Sequence, residues 1–255
     1  MGSARSTGEG GSSALDPTTR PSAAPTRGAP GRPGAPDVVR AVKPLLRGWL
    51  HLGMFPLVVA AGIVAVALAP DARSRWAMAI FGLTAALLFG ISALYHRGTW
   101  SPRTTMVLKR FDHSNIFLII AGTYTPFAVL LLEDGPRRVL LLVAWLAALA
   151  GIAFRIFWVG APRWLYVPAY VAMGWVAVAF LPQFLRGGGT AVTVLVVVGG
   201  LAYTAGALVY GLKRPDPSPR YFGFHEIFHA LTVVGFVCHY VAASLALYRG
   251  DVPGA

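Results

Sequence analysis

The residues of this sequence with the clearest chemical potential are two histidines four positions apart, His225 and His229 in the string HEIFH. On a helix this spacing places both imidazoles on one face, about 6 Å apart along the axis. Such a pair can chelate one metal ion. An isolated HxxxH spacing is a weak signal, because histidines that hydrogen-bond between helices are the more common explanation.

A third imidazole would complete the set used by catalytic zinc sites, which hold the ion by three protein ligands and keep a fourth position open for water. His96 is the candidate, and Ser92 shares its helical face four residues earlier. Asp112 could orient or deprotonate a water there, or be a ligand itself. Taken singly, His96 is more simply an interfacial histidine, and Asp112 a helix amino-terminal cap or a partner of Arg110. Together they favour a metal site on His96, His225 and His229 over these separate interpretations.

Other ionisable residues nearby are expected to stand outside this site. Glu226 directly follows the first histidine of the pair and is expected to point elsewhere on the helix, so this helix is not interpreted as the zinc-binding helix of the soluble HExxH metalloproteases. His113 adjoins Asp112 and therefore faces about 100° away from it. His239 lies ten residues beyond the second histidine, about 15 Å deeper along the helix, which favours a satisfied core histidine.

The elements that position these residues are predicted to be transmembrane helices. Of 255 residues, 56% are hydrophobic and 13% charged, and the mean hydropathy is +0.61, which is typical of bilayer proteins. Seven apolar runs approach the roughly 20 residues needed to cross the hydrocarbon; they cover residues 48–69, 76–96, 111–132, 138–158, 164–185, 190–212 and 222–247. We therefore expect an all-α membrane protein, a seven-transmembrane helix bundle over residues 40–255. Residues 1–39, rich in Gly, Pro and Ser, are expected to form a disordered cytoplasmic tail.

The orientation of the bundle follows from the Lys and Arg residues that flank the spans. With the amino terminus inside, twelve lie on the cytoplasmic side and six on the other, which favours a cytoplasmic amino terminus and an external carboxyl terminus. This topology brings the candidate site residues to one depth near the cytoplasmic face. It also accounts for the net charge of +12, so nucleic acid is not an expected partner. The single cysteine, Cys238, excludes an intramolecular disulfide.

Several motifs, in this order, resemble the hemolysin III family, the bacterial branch of the progestin and adipoQ receptor (PAQR) family. They are SALYH at 92–96, FDHSNIFLIIAGTYTPF at 111–127, FHEIFH at 224–229 and CHY at 238–240. The resemblance implies a seven-helix bundle with a cytoplasmic amino terminus and a zinc ion on His96, His225 and His229, with Ser92 and Asp112 close by. Relatives in the wider group look like membrane hydrolases of lipid amides such as ceramides. The bacterial branch takes its name from hemolytic, pore-forming activity.

These observations favour a zinc-dependent, ceramidase-like hydrolase of lipid amides or esters, with Asp112 as general base and Ser92 assisting by hydrogen bonding. We expect it in the plasma membrane, the bacterial inner membrane, with membrane lipids as partners and a lipid-like substrate. One alternative is a non-enzymatic pore-forming hemolysin or receptor-like protein with a structural zinc. Another makes the histidines haem ligands, which predicts a Soret band. The patterns do not specify the substrate or the oligomeric state.

Overall fold

The structure, a computed structural model, describes residues 44–249 and is built almost entirely of helices. The elements are α1 (Trp49–Ala67), α2 (Ala72–Arg97), α3 (Pro102–Leu131), α4 (Asp134–Phe157), α5 (Arg163–Trp175), a 3₁₀ turn (Val176–Phe180), α6 (Leu181–Leu212) and α7 (Phe224–Tyr248). Within these residues strand-like pairing is limited to one isolated bridge between Ser218 and Phe222. The predicted all-α class is confirmed, whereas the tail predicted at 1–39 lies outside the described residues.

Six helical segments of residues 44–249 are long and apolar enough to span a membrane. Five correspond one to one with predicted runs, and the predicted fifth and sixth runs are joined in one segment, Arg163–Leu212, of 50 residues. A straight helix of that length would measure about 75 Å, against about 30 Å of hydrocarbon. The segment instead folds back on itself. This is shown by the hydroxyls of Tyr166 and Tyr210, near its two ends, which lie 3.2 Å apart.

The bend in this long segment lies at Gly189, within α6. Its backbone has φ 74° and ψ −178°, a conformation that is essentially restricted to glycine. The indole N–H of Trp175 donates to the Thr204 hydroxyl at 3.1 Å, so the arms on either side of the bend are also joined by a side-chain hydrogen bond. The glycine-rich stretch that the sequence marks as a break is thus the point at which the chain reverses.

Short polar side chains determine where α2 and α3 begin. Asp71 accepts hydrogen bonds from two backbone N–H groups of the first turn of α2, at 2.8 and 3.0 Å. Ser101 accepts one from the N–H of Thr104 at 3.2 Å, and Pro102 occupies the first helical position that proline favours. Because capping rather than hydropathy sets this start, α3 begins nine residues before the predicted run at 111. Asp112 therefore lies about three turns inside α3.

Helices α1, α2 and α3 approach one another closely at small residues. A Cβ atom added to Gly62 would lie 3.3 Å from the Cα of Gly82, and one added to Gly122 would lie 2.0 Å from the hydroxyl oxygen of Thr84. Close backbone contact of this kind stabilises helix pairs in lipid, where the hydrophobic effect between helices is absent. Large apolar side chains remain exposed on the outer faces of the helices, as contact with lipid requires.

The position of α7 brings distant parts of the sequence together. It packs against α6 and also contacts α1 and α3, while α2 packs between α1 and α3. The last turn of α2 and the first turns of α7 consequently meet at one end of the bundle, beside the polar part of α3.

Candidate metal centre

Three buried or half-buried histidines meet where α2 and α7 come together. His96 lies in the last turn of α2, and His225 and His229 lie in the first two turns of α7. Their ligand nitrogens all lie within 4.8 Å of one another, and the Nε2 atoms of His96 and His225 are 3.2 Å apart. The structure thus assembles the predicted histidine triad from segments about 130 residues apart in the sequence.

The spacing of these nitrogens suits a tetrahedral metal ion. Two imidazole nitrogens bound to zinc at about 2.0–2.1 Å with tetrahedral angles stand about 3.3 Å apart, close to the 3.2 Å between His96 and His225. Imidazole nitrogens are ligands that zinc prefers, and three of them leave a fourth position open. A haem would need its porphyrin plane between two axial nitrogens, and these two nitrogens are too close for that. The triad could therefore hold a metal ion, with zinc a good chemical match.

A hydrogen bond and an ion pair stabilise the start of α7, the helix that carries His225 and His229. Glu226 accepts the backbone N–H of Gly223 at 2.9 Å, which caps the helix. The same carboxylate pairs with the guanidinium of Arg47. The loop before α1 reaches the triad directly, since a Cβ at Gly48 would lie 2.7 Å from the Cβ of His96. Backbone geometry on both sides therefore limits where the imidazoles can stand.

The sequence of this helix start matches the HExxH pattern of soluble metalloproteases letter for letter, so the role of Glu226 depends on geometry. In those enzymes the glutamate acts as general base. Here Glu226 is 1% exposed, and its oxygens are engaged by Arg47 and by the N–H of Gly223. It does not line either of the cavities beside the triad. The structure therefore gives Glu226 a capping and ion-pairing position, away from the place that a general base would need.

Asp112 is the acidic side chain beside the triad. Its Oδ2 atom lies 3.8 Å from Nε2 of His96 and 3.8 Å from Nδ1 of His113. Ser92 lies close to the same carboxylate, and both side chains line the inner cavity described below. Ser92 is buried one turn before His96 on α2, as its spacing predicts. The catalytic roles assigned to Asp112 and Ser92 stay predictions; both side chains lie beside the triad.

A fourth histidine, His51 of α1, adjoins the triad and was not predicted as part of the site. It is 2% exposed, and its ring stacks on that of His229 with centroids 3.8 Å apart and planes 9° apart. Neither ring nitrogen reaches a described partner with ordinary hydrogen-bond geometry, although the backbone of His229 is close. His51 therefore supports one ligand by stacking. Its position near the predicted cytoplasmic end of α1 puts His51 at the level of the triad. The sequence does not show, however, that α1 contacts α7.

The two other histidines near α3 and α7 lie outside the triad, in agreement with their spacing. His113 Nδ1 lies 2.8 Å from the carbonyl oxygen of Lys109 on its own helix. His239 is buried, with Nδ1 2.7 Å from the carbonyl oxygen of Gly235. Neither belongs to the group of nitrogens that could hold the ion.

The triad and Asp112 stand between two cavities. The inner cavity, about 400 Å³, is lined mainly by apolar side chains of α3, α5, α6 and α7 and extends from Ser92 and Asp112 down to His239. The outer cavity, about 640 Å³, is more polar and is lined by basic side chains, namely Arg47, Lys109, Arg155 and Arg163. Asp112 and His225 line both. The site residues thus form the partition between a polar and an apolar space.

Comparison with known proteins identifies the family. The chain matches the family described as Haemolysin-III related over residues 39–240. It belongs to the haemolysin III family. It is 34% identical to the Hemolysin-3 homolog of Bacillus subtilis (strain 168) over 185 residues, which cover 70% of this chain and 82% of that protein. It is 35% identical to Hemolysin-3 of Bacillus cereus over 137 residues, 52% of this chain and 61% of that protein.

A plant relative extends the relationship to the PAQR group. The chain is 32% identical to the heptahelical transmembrane protein ADIPOR2 of Oryza sativa subsp. japonica over 204 residues, 71% of this chain and 86% of that protein. The predicted hemolysin III and PAQR membership is thus confirmed. The apolar helices and the haemolysin III relatives together also confirm a multi-pass protein of the bacterial plasma membrane.

Proposed function

We propose that this haemolysin III protein is a zinc-dependent hydrolase of amide or ester bonds in lipid-like substrates. The observation that carries the proposal is the partition of the two cavities by the histidine triad and Asp112. Hydrolysis of a lipid needs water on one side of the reacting bond and apolar room for the chain on the other. The polar outer cavity and the apolar inner cavity offer these two environments at one group of side chains.

The roles of the protein side chains follow from their positions. His96, His225 and His229 would hold the ion, which when bound would supply a Lewis acid that polarises a carbonyl group and lowers the pKa of water. Asp112, beside the triad, would accept a proton from the attacking water. Ser92 would keep the Asp112 carboxylate oriented through its hydroxyl, a supporting bond of the kind that tunes metal sites.

The proposal is tested by separating metal binding from turnover. Elemental analysis of purified wild type should give one zinc per chain, and the double variant His225→Ala, His229→Ala should lose it. His113→Ala is the matched control, because it removes a histidine next to Asp112 but outside the triad. Asp112→Asn should keep the metal and lose hydrolysis across a panel of long-chain amides and esters. Wild type with full zinc and no turnover of any member would refute the hydrolase.

We further propose seven membrane crossings, with the amino terminus cytoplasmic. The long segment Arg163–Leu212 folds back at Gly189 and is long enough to cross twice, and the rice relative is named heptahelical. The excess of flanking Lys and Arg sets the orientation. In a chain with Cys238 replaced by Ala, cysteines introduced at Thr190 and Lys213 should react with an impermeant reagent from opposite sides of the membrane. Labelling of both from one side would refute the double crossing.

The names of the Bacillus relatives favour one rival, a non-enzymatic pore-forming protein in which zinc only joins helices. This rival predicts that purified protein makes liposomes leak and that Asp112→Asn leaks as much as wild type. It also predicts that leakage disappears when removal of zinc unfolds the bundle. Hydrolysis that depends on Asp112, without leakage, would exclude the rival.

A further inference from the structure

The far end of the inner cavity carries two polar side chains that the proposed chemistry does not use. Tyr203 of α6 and His239 of α7 both line this cavity. Their rings stack with centroids 5.5 Å apart and planes 24° apart. His239 is ten residues beyond His229 on the same helix, which places it about 15 Å from the metal centre. The pair is therefore a separate feature from the triad.

Two glycines hold these rings in place. A Cβ atom at Gly199 would lie 2.5 Å from Nδ1 of His239, and one at Gly235 would lie 2.8 Å from Cε1 of Tyr203. Each of the two helices thus carries a glycine four residues before its own ring, and that glycine makes room for the ring of the other helix. Because backbone atoms limit both rings, their positions at this level of the cavity are well defined.

Both rings have hydrogen-bonding capacity left. Nδ1 of His239 lies 2.7 Å from the carbonyl oxygen of Gly235. A carbonyl can only accept, so this nitrogen carries the proton and the neutral ring keeps Nε2 as an acceptor. The hydroxyl of Tyr203 is buried and has no hydrogen-bond partner among residues 44–249. Unpaired polar groups at membrane depth are costly, and here one donor and one acceptor occur at the same level.

We propose that Tyr203 and His239 form a subsite for a hydroxyl group on the apolar chain of the ligand, about 15 Å from the head held at the metal centre. The inference rests on the proposed function for the position of that head. A hydroxyl suits the pair because it can accept from Tyr203 and donate to Nε2 of His239, whereas a methylene can do neither. A carboxylate would bring its lone pairs against that of Nε2. An ordered water is the competing occupant.

The test is a comparison of two fatty acids that differ by one hydroxyl, measured by displacement of a fluorescent fatty acid from purified full-length protein in detergent. The probes are octadecanoate and 12-hydroxyoctadecanoate, whose hydroxyl lies about as far from its carboxylate as His239 lies from His229. The variant Tyr203→Phe removes only the phenolic oxygen. Tyr240→Phe is the matched control, since its hydroxyl donates to the Ala61 carbonyl at 3.0 Å and does not line the cavity.

Wild type should favour the hydroxylated acid, and Tyr203→Phe should shift the ratio of the two Kd values about 3- to 10-fold toward octadecanoate, as expected for one lost hydrogen bond. Tyr240→Phe should leave the ratio unchanged. The 3-hydroxy isomer, with its hydroxyl near the head, should show no such dependence on Tyr203. Should Tyr203→Phe affect folding, His239→Leu provides a second variant with the same expected direction, because it removes the Nε2 acceptor.

Equal affinity for the two acids in wild type, or a ratio that Tyr203→Phe does not change, would overturn the subsite and leave an ordered water only. Failure of both acids to bind would overturn it as well. These outcomes are distinct from failure of the hydrolase. Chain selectivity without turnover of any lipid leaves the subsite standing, and turnover without selectivity removes the subsite alone.

Discussion

The ion pair between Arg47 and Glu226 offers the sharpest test of how this helix start works. Glu226 is fully enclosed, with its side chain 1% exposed, whereas the side chain of Arg47 is 19% exposed. If the glutamate only caps α7 and neutralises Arg47, its replacement should destabilise the fold and leave the metal bound. If it acted as the glutamate of soluble HExxH enzymes does, its replacement should abolish turnover in a protein of normal stability.

The size of the expected effect follows from burial. Removal of one partner of a buried ion pair costs about 3–5 kcal/mol. The lower end applies here because Arg47 can turn toward water. Glu226→Ala also loses the hydrogen bond to the Gly223 N–H, worth about 1 kcal/mol at a helix start, so a total of about 4 kcal/mol is expected. Glu226→Gln keeps an oxygen for that N–H but still leaves Arg47 without a charged partner, so it should lower the free energy of unfolding by about 3 kcal/mol, the ion-pair part alone.

A double-mutant cycle completes the test. Arg47→Met combined with Glu226→Gln removes both charges. The double variant should therefore lose about 1–3 kcal/mol less free energy of unfolding than the two single variants lose in sum. Unfolding is followed by tryptophan fluorescence in mild detergent, and zinc is measured by elemental analysis on the same samples. Zinc lost from Glu226→Gln at unchanged stability would show that the carboxylate belongs to the metal site, and the capping argument would then be wrong.

Three further predictions concern single side chains. Gly48→Ala places a side chain at φ +82° against His96, the ligand on α2. It should weaken zinc binding about 10-fold or more in a chelator competition. The control Gly53→Ala, which has nothing within 4 Å of its Cβ, should leave zinc binding unchanged. Gly189→Ala should lower the free energy of unfolding by about 1–3 kcal/mol, because its φ is positive. The control Gly200→Ala, at a helical position with open space at its Cβ, should not be destabilising. Equal effects of the two substitutions would refute the backbone argument. Ser92→Ala should keep full zinc and lower the turnover of any substrate about 10-fold, and zinc loss would instead make it part of the binding site.

The common level of the site residues along the helices could be predicted from the sequence, because hydropathy and the charges at the span ends place residues along that one direction. His96 and the pair His225 and His229 fall at the same level by that logic, and the structure brings them together. The lateral order of the helices is a different matter. It arises from packing between small residues, such as Gly62 against Gly82, and short-range sequence patterns do not record which helices touch.

His51 and Glu226 show what this limit hides. The stacking of His51 on His229 requires α1 beside α7, and the pairing of Glu226 with Arg47 joins residues 179 positions apart. The start of α3 lies nine residues before the predicted apolar run for another reason. Its first turns are polar, so hydropathy omits them, while Ser101 and Pro102 supply a cap that hydropathy does not measure.

In the topology we propose, the histidine triad lies at a depth that favours a lipid-like substrate. In a membrane lipid the bond between head and chain lies where the polar headgroups meet the hydrocarbon, so an enzyme that cleaves it must place its polar groups at that level. In the topology we propose, the ends of α2 and α7 lie at that level, and the apolar cavity extends from them toward the membrane interior as far as His239. Ionisable groups within a membrane are costly and usually functional. Their concentration at the mouth of an apolar cavity, with water-compatible space on the other side, favours chemistry on a molecule that is half polar and half hydrocarbon over a metal that only joins helices.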